Sequence, residues 1–184
     1  MVSRHRLQAG LLCFILFIAG AFYIKSNHEF AISQRAMTEV SEGVEQGEKA
    51  ISFSLQSTEG EEVSLDDFDG EKVFMFFFTT WCQVCSEQWE QLEIAQKEGF
   101  IDNINIIAVN LSKEERKKSD VGEYVKYIML ENANVLLDGA GHVQDLYHVF
   151  GIPTGLLINE AGVIEKRFHN LVSVEDIVND NFFK

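Results

Sequence analysis

The pattern of apolar and polar positions after residue 50 predicts several strands. Residues 51 to 56 alternate between apolar and polar side chains, and a turn around Gly60 leads to residues 62 to 65, so this stretch predicts a β-hairpin. The run VFMFFF at residues 73 to 78 is apolar throughout and has the length of a strand, which indicates burial on both faces. Residues 104 to 111, INIIAVNL, predict a second buried strand.

Helical periodicity alternates with these strands. Apolar spacing predicts one helix from Cys82 to about Lys97 and a longer, polar helix from Glu114 to about Glu131. The rest of the chain predicts a strand at 135–137, a helix at 143–149, a hairpin from 154–158 and 163–168, and a last helix at 174–178. This order predicts an α/β fold, with a mixed central sheet and helices on both of its faces.

The N-terminal segment has a different character. From Leu7 to Ile24 the chain is almost wholly apolar and nearly long enough to cross the hydrocarbon core as a helix, and basic residues precede the run. We therefore expect a cytoplasmic start and single-pass transmembrane anchor at 1–24, a polar tether at 25–47, and a domain at 48–184 on the extracytoplasmic side of the cell membrane. The competing interpretation is a signal peptide that is cleaved near Ala19-Gly20-Ala21.

Charge excludes one class of partner. The chain has 29 acidic and 15 basic residues, with a formal net charge of −14. Proteins that bind nucleic acid cluster Lys and Arg against the phosphates. An acidic chain of this kind is therefore not expected to bind nucleic acid.

The cysteines carry the candidate chemistry. Of three, Cys13 lies in the N-terminal apolar run, and Cys82 and Cys85 form a C-x-x-C pair, a spacing that indicates either redox exchange or half of a metal site. A thiol attacks a disulfide as the thiolate, which the start of a helix stabilises. Cys82 is thus the candidate nucleophile, and Cys85, one turn deeper, is the candidate resolving thiol that reacts through a mixed disulfide.

The single proline, Pro153, has two interpretations. It lies just before a predicted strand, so it can be an ordinary proline at a strand entry. Alternatively, the Ile152–Pro153 bond is cis and brings the backbone of Ile152 beside the cysteines, where an extended substrate could pair with it.

Three stretches together resemble a known family. The segments FFFTTWCQVCSEQW, Gly151-Ile152-Pro153-Thr154 and the turn from Asn159 to Gly162 resemble the TlpA/ResA branch of the thioredoxin-like proteins, over roughly residues 48 to 184. The resemblance implies a thioredoxin-like fold and favours the cis form of Pro153. It also implies that Trp81 shields the disulfide and contacts substrate.

The same resemblance implies a function. It indicates a bacterial, membrane-tethered thiol–disulfide oxidoreductase that reduces protein disulfides outside the cytoplasm, as in cytochrome c maturation or spore-envelope assembly. Electrons would come from an integral membrane thiol carrier. We expect a monomer without a cofactor.

The sequence also departs from this family in three places. Val84 stands where the family usually has proline, Gln88 where relatives often have an acid, and Phe76 where many thioredoxins have a buried aspartate. The dipeptide between the cysteines influences the reduction potential, so the direction of electron flow stays open. Proton transfer to and from Cys85 would then depend on water or on Glu87.

Other classes of protein remain as alternatives. Copper or zinc binding or delivery could use the cysteine pair with one of the histidines His142, His148 or His169, although a structural zinc site wants four protein ligands. A peroxidase would need an arginine near the reactive thiolate, and the sequence around Cys82 has none. A redox-inactive binding module is disfavoured because the cysteines and the proline occur together.

Overall fold

A computed structural model of the chain describes residues 14, 16–18, 23, 40–117, 119–131 and 133–183. The predicted anchor at 7–24 lies mostly outside the described residues, and the five of its residues that are described are helical. Among the described residues, none of the helices has both the length and the apolar character needed to span a membrane. The compact unit that follows begins at Ser41, so it includes residues 41–47 of the predicted tether.

This unit contains nine strands, four α-helices and two 3₁₀ turns among its described residues. The strands are β1 Glu42–Gly43, β2 Lys49–Ala50, β3 Ser54–Ser57, β4 Glu62–Ser64, β5 Lys72–Phe78, β6 Ile104–Asn110, β7 Ala133–Leu137, β8 Thr154–Ile158 and β9 Ile164–Phe168. The helices are α1 Gln83–Lys97, α2 Ser119–Val125, α3 His142–Leu146 and α4 Val174–Asn179, and the 3₁₀ turns are Leu65–Phe68 and Asn181–Phe183.

Seven of the strands form one mixed sheet in the order β4-β3-β7-β6-β5-β8-β9. The central strand β5 pairs in parallel with β6 and antiparallel with β8. The predicted α/β architecture with a mixed sheet is therefore confirmed, as are the two predicted hairpins, β3–β4 and β8–β9.

Strand β5 supplies side chains to two separate cores because neighbouring residues of a strand point to opposite faces. Phe74, Phe76 and Phe78 belong to a cluster with residues of α1, which we call the α1-side core. Val73, Met75 and Phe77 belong to the opposite cluster with Val143 of α3 and Tyr147, which we call the α3-side core. Helices thus cover both faces of the sheet, and no apolar residue of β5 from 73 to 78 is more than 1% exposed.

The prediction of a long helix from Glu114 to Glu131 is wrong. Among the described residues of this stretch, only Ser119–Val125 is helical. Residues after α2 instead bind side chains of α1: the Met129 amide donates to Glu93 Oε1 at 2.9 Å, and the Glu131 amide donates to Gln96 Oε1 at 2.9 Å. These side chains satisfy backbone groups that a continued helix would have satisfied within itself.

Residues 41–47 lie against the sheet through Arg167 of β9. Its guanidinium donates to the carbonyl oxygens of Val44, at 2.9 Å, and Tyr147, at 2.6 Å. Val44 is buried in the α3-side core. The stretch between the predicted anchor and β2 is therefore partly a folded extension of the domain.

Candidate active site

The cysteine pair lies where β5 ends and α1 begins. Cys82 is the N-cap residue of α1, with extended backbone dihedrals, and its Sγ accepts a hydrogen bond from the Cys85 amide at 3.1 Å. The first amides of a helix have no partner within the helix, and together with the helix dipole they favour negative charge at this position. The local fold therefore places the Cys82 sulfur where a thiolate is stabilised.

Cys82 and Cys85 are joined as a disulfide, with their Cα atoms 5.2 Å apart. The two sulfurs differ in access: Cys82 is 8% exposed, and Cys85 is 0% exposed. A substrate thiolate can reach a sulfur only from solvent. Cys82 is therefore the member of the pair that an incoming thiol or disulfide can meet.

Trp81 lies beside the disulfide and is 48% exposed. Its indole Nε1 donates to the carbonyl oxygen of Glu114 at 3.1 Å, so the loop after β6 holds the ring. An exposed aromatic ring of fixed orientation next to a reactive sulfur is suited to contact a polypeptide.

The Ile152–Pro153 peptide bond is cis, as predicted. Thr154, the next residue, pairs with Phe77 in the antiparallel β5–β8 ladder. Because Phe77 is near the end of β5 that leads to the cysteines, the sheet brings Pro153 to the same edge. Ile152 is half-buried and packs against the α1-side core, which includes both cysteines.

Gln88 fills the position where relatives often have an acid, and it is only 1% exposed. Its side-chain amide binds both backbone groups of Val172: Nε2 donates to the carbonyl oxygen at 3.1 Å, and Oε1 accepts from the amide at 2.8 Å. Glu87, the predicted proton-transfer residue, is half-buried, and its carboxylate accepts from Gln83 Nε2 at 3.5 Å. Gln88 thus has a structural role that a carboxylate could fill only in part.

The sequence analysis missed Glu115. Its carboxylate accepts three hydrogen bonds: from the Thr80 amide at 2.7 Å, the Thr80 hydroxyl at 2.6 Å and Asn110 Nδ2 at 2.7 Å. Asn110 is the last residue of β6 and is fully buried. The acid lies in a run of charged residues, KEERKK, that reads as a solvated surface, so the sequence offers no signal for this role.

Tyr124 of α2 also contacts residues of the site. Its hydroxyl lies 3.0 Å from Ser86 Oγ, and the ring packs against Phe78. Burial raises the pKa of Tyr124, the Ser86 hydrogen bond lowers it in part, and the nearby carboxylate of Glu115 raises it further. Tyr124 is therefore a neutral hydrogen-bonding group at this site.

The three histidines that were considered as metal ligands lie in different parts of the structure. The backbone amide of His142 donates to Asp138 at the start of α3, and the His148 ring stacks on Phe150 with centroids 6.5 Å apart. His169 follows β9. Within the described part of the chain, no group of three or more His, Cys, Asp or Glu residues is arranged to hold a metal ion.

Comparison with known proteins places this site in a family. The AhpC/TSA family model matches residues 46–167, which include both cysteines and Pro153. The chain belongs to the AhpC/TSA family. Proteins similar to this chain include a thioredoxin-like protein and thiol–disulfide oxidoreductases. The thioredoxin-like protein YneN of Bacillus subtilis is 34% identical over 123 residues, which cover 67% of this chain and 71% of YneN.

The thiol–disulfide oxidoreductase ResA of Bacillus subtilis is 32% identical over 125 residues, 68% of this chain and 68% of ResA. Among solved structures, StoA from Bacillus subtilis superimposes with a TM-score of 0.59 at 29% identity, covering 69% of this chain and 93% of StoA. These relatives confirm the resemblance to the TlpA/ResA branch and the thioredoxin-like fold. This AhpC/TSA family member is thus a thioredoxin-like thiol–disulfide oxidoreductase.

Proposed function

We propose that the enzyme is membrane-anchored and extracytoplasmic, and that it reduces protein disulfides through Cys82 and Cys85. The observation that carries the proposal is the position of Cys82: its sulfur caps α1 and accepts from the Cys85 amide, and it is the more exposed of the two. A nucleophile needs both a stabilised anion and access to substrate.

The reaction has two exchange steps. The Cys82 thiolate attacks one sulfur of the substrate disulfide, which forms a mixed disulfide and releases the other substrate sulfur as a thiolate. Cys85, once deprotonated, attacks Cys82 Sγ, releases the second substrate thiolate and closes the Cys82–Cys85 disulfide. The substrate gains two electrons and the enzyme loses two. A dithiol donor, which we propose to be an integral membrane thiol carrier, then reduces the enzyme by the same exchange.

Substrate would bind across the edge of the sheet that carries the cysteines. Trp81 offers an exposed ring on one side, and the backbone of Ile152 ahead of Pro153 offers hydrogen-bonding groups on the other. A polypeptide in extended conformation can pair with such a backbone segment, as in other cases where a strand is added to a sheet. This arrangement would orient a substrate cystine toward Cys82.

The resolving step requires that Cys85 lose its proton, although its sulfur is buried. Gln88 cannot accept a proton at the position where an acid would stand. We assign this task to Glu87, one residue earlier on α1, acting through solvent. Its half-buried carboxylate has a weak, 3.5 Å hydrogen bond to Gln83, so it is available to water.

The N-terminal sequence supports the proposed location, because basic residues precede the apolar run at 7–24. Relatives named thiol–disulfide oxidoreductase support the reaction class. We infer a role in cytochrome c maturation or in envelope or spore assembly, with the enzyme acting as a monomer.

The experiment uses the full-length chain in detergent. With dithiothreitol as the electron source, wild type should accelerate the reduction of insulin disulfides, and Cys82→Ser should abolish the acceleration while its circular dichroism stays unchanged. A Cys13→Ser variant is the matched control and should retain activity. Full activity of Cys82→Ser would rule out the mechanism, and a cytoplasmic signal from a C-terminal reporter fusion would rule out the location.

A further inference from the structure

The loop after β6 holds the residues that lead into Cys82. The carboxylate of Glu115 binds both the amide and the hydroxyl of Thr80, at 2.7 Å and 2.6 Å, and the neighbouring Glu114 carbonyl accepts from the Trp81 indole. Thr80 and Trp81 are the two residues immediately before the nucleophile. The backbone that presents the Cys82 sulfur is therefore fixed by a side chain more than thirty residues away.

The carboxylate is itself held in place. Asn110 donates to it at 2.7 Å from the end of β6, and the side-chain oxygen of Asn110 accepts from the Ser112 hydroxyl at 2.8 Å. Asn110 is 0% exposed and Ser112 is 7% exposed. Hydrogen bonds to an ionised acceptor are stronger than those between neutral groups. Glu115 is thus a rigid and preorganised support.

The hydrogen-bond partners of Glu115 are all neutral. They are the amide and hydroxyl of Thr80 and the side-chain amide of Asn110. A carboxylate that accepts neutral donors keeps its full negative charge. The carboxylate contacts Thr80, two residues before Cys82, and a negative charge in that neighbourhood would oppose the stabilisation of a thiolate by the start of α1.

We propose that Glu115 is a positioning residue of the redox site, which fixes the Thr80–Trp81 backbone and whose negative charge lowers the thiolate fraction of Cys82. The inference rests on the proposed function, because it assigns to Cys82 the role of nucleophile. The thiolate fraction of Cys82 is then set by two groups with opposite effects. The amides at the start of α1 raise it, and the Glu115 carboxylate lowers it.

The elements around Cys82 carry other titratable side chains besides Glu115, and the charged ones are exposed or half-buried. They are Glu87, Glu90, Glu93 and Lys97 on α1, Lys113, Glu114, Arg116 and Lys117 in the loop, Asp120, Glu123 and Tyr124 on α2, and His148 ahead of the Ile152–Pro153 bond. Glu87 and Glu114 are at most half-buried, so solvent screens their charges. The raised pKa of Tyr124 is due first to burial, and the carboxylates of Glu115, Glu90 and Glu93 raise it further.

The test compares Glu115→Gln, Glu115→Ala and Glu114→Gln in the full-length chain. A glutamine can still accept from the Thr80 amide and Asn110, and its Nε2 can donate to the Thr80 hydroxyl, so Glu115→Gln removes the charge and keeps the support. Glu114 is exposed and contacts Trp81 through its backbone only, which Glu114→Gln preserves. The readout is the pH midpoint for alkylation of Cys82 by iodoacetamide in fully reduced protein.

We expect Glu115→Gln to lower the midpoint by a few tenths of a unit to about one pH unit, because an opposing charge is removed. Glu114→Gln should shift it by less than half as much. Glu115→Ala should lower the midpoint similarly and also slow insulin reduction, because Thr80 and Trp81 lose their support. An unchanged midpoint in Glu115→Gln, or an equal shift in Glu114→Gln, would overturn the proposal.

The alkylation and insulin assays distinguish a failure of the Glu115 role from a failure of the proposed function. Alkylation needs only a titrating thiol, whereas insulin reduction needs the complete exchange cycle. If wild type failed to reduce insulin, the proposed function would fail whatever the alkylation data showed. If wild type reduced insulin and the Glu115→Gln midpoint matched that of wild type, only the role of Glu115 would fail.

Discussion

The two cores on either side of β5 are equally well buried but differ in what they contain. The α1-side core includes Cys82 and Cys85, and the amide of Gln88 is buried on the same helix. The α3-side core has no cysteine, and its largest side chain, Tyr147, donates its hydroxyl to the Ile51 carbonyl at 2.6 Å. Burial raises the pKa of Tyr147, so this hydroxyl stays neutral.

The difference shows that burial alone does not create the site. The side chains of β5 alternate between the cores with 0 or 1% exposure on both sides. What distinguishes the α1 side is the helix that begins a few residues after the strand and donates its Cys85 amide to the Cys82 sulfur. We therefore expect substitutions in both cores to reduce stability, but only those on the α1 side to change the chemistry.

The largest expected effect comes from replacing one large side chain by alanine, in one core at a time. Phe77→Ala on the α3 side and Phe76→Ala on the α1 side should each lower the free energy of unfolding by about 3–5 kcal/mol. Phe76 contacts Trp89 of α1, with ring centroids 4.8 Å apart, so its loss should also slow insulin reduction per folded molecule. Phe77→Ala should keep that rate within about twofold, because effects at separate sites are nearly independent.

Urea unfolding and insulin reduction measure the two quantities. Where the alanine variants do not fold, Phe76→Leu and Phe77→Leu give the same contrast with a smaller loss of stability. An equal loss of rate in the Phe76 and Phe77 variants would remove the distinction between the cores.

The next effect concerns the buried amide on the α1 side. Gln88→Ala removes both hydrogen bonds to Val172 and leaves the amide and carbonyl of Val172 without these partners. This should cost about 1–3 kcal/mol of unfolding free energy. Gln91 is the matched control, since its Oε1 accepts one bond, from the partly buried Val174 amide at 2.9 Å. Gln91→Ala should cost about 0.5–1.5 kcal/mol. Chemical denaturation measures both, and a larger loss in the Gln91 variant would contradict the assignment.

The smallest effect lies at the edge of the α1-side core, where α4 begins. Hydrogen bonds from the side chain and backbone of Ser173 lower the pKa of Asp176. A carboxyl group whose pKa is lowered on folding adds stability above its unfolded pKa of about 3.9, and that stability is lost as the pH falls through the folded value. Because the group is largely solvent-exposed, we expect about 0.5 kcal/mol.

Thermal unfolding at pH 7 and near pH 3 tests this prediction. Asp176→Asn should be less stable than wild type at pH 7, and the difference should shrink at the lower pH. Glu175→Gln, in the same first turn, is the control and should show a smaller difference at both pH values. A constant deficit of Asp176→Asn across this range would show that its capping role does not depend on charge.

Much of the fold could be predicted from the chain alone. The run at 73–78 matches β5 closely, because an apolar stretch with polar ends leaves little freedom in where the strand starts and stops. Cys82 and α1 were also predicted, since the helical spacing of buried residues is local. The cis bond at Pro153 followed from the family resemblance rather than from the residues.

What could not be predicted depends on partners that are distant in the chain. The segment from 114 to 131 has helical spacing, yet Glu115 binds Thr80, and Glu93 and Gln96 of α1 hold the stretch after α2. Each of these contacts links residues about thirty-five positions apart. The apolar pattern within a short stretch of sequence contains no information about such long-range contacts. The role of Glu115 could therefore not be predicted.

The central claim is that Cys82 attacks and Cys85 resolves. A Cys85→Ala variant of the full-length chain, expressed in its native host, tests it directly, because without the resolving thiol the mixed disulfide should persist. Non-reducing separation and mass spectrometry should find substrate peptides bonded to Cys82, and a Cys82→Ala variant should yield none on Cys85. Equal trapping on Cys85, or no adducts on Cys82, would contradict the account.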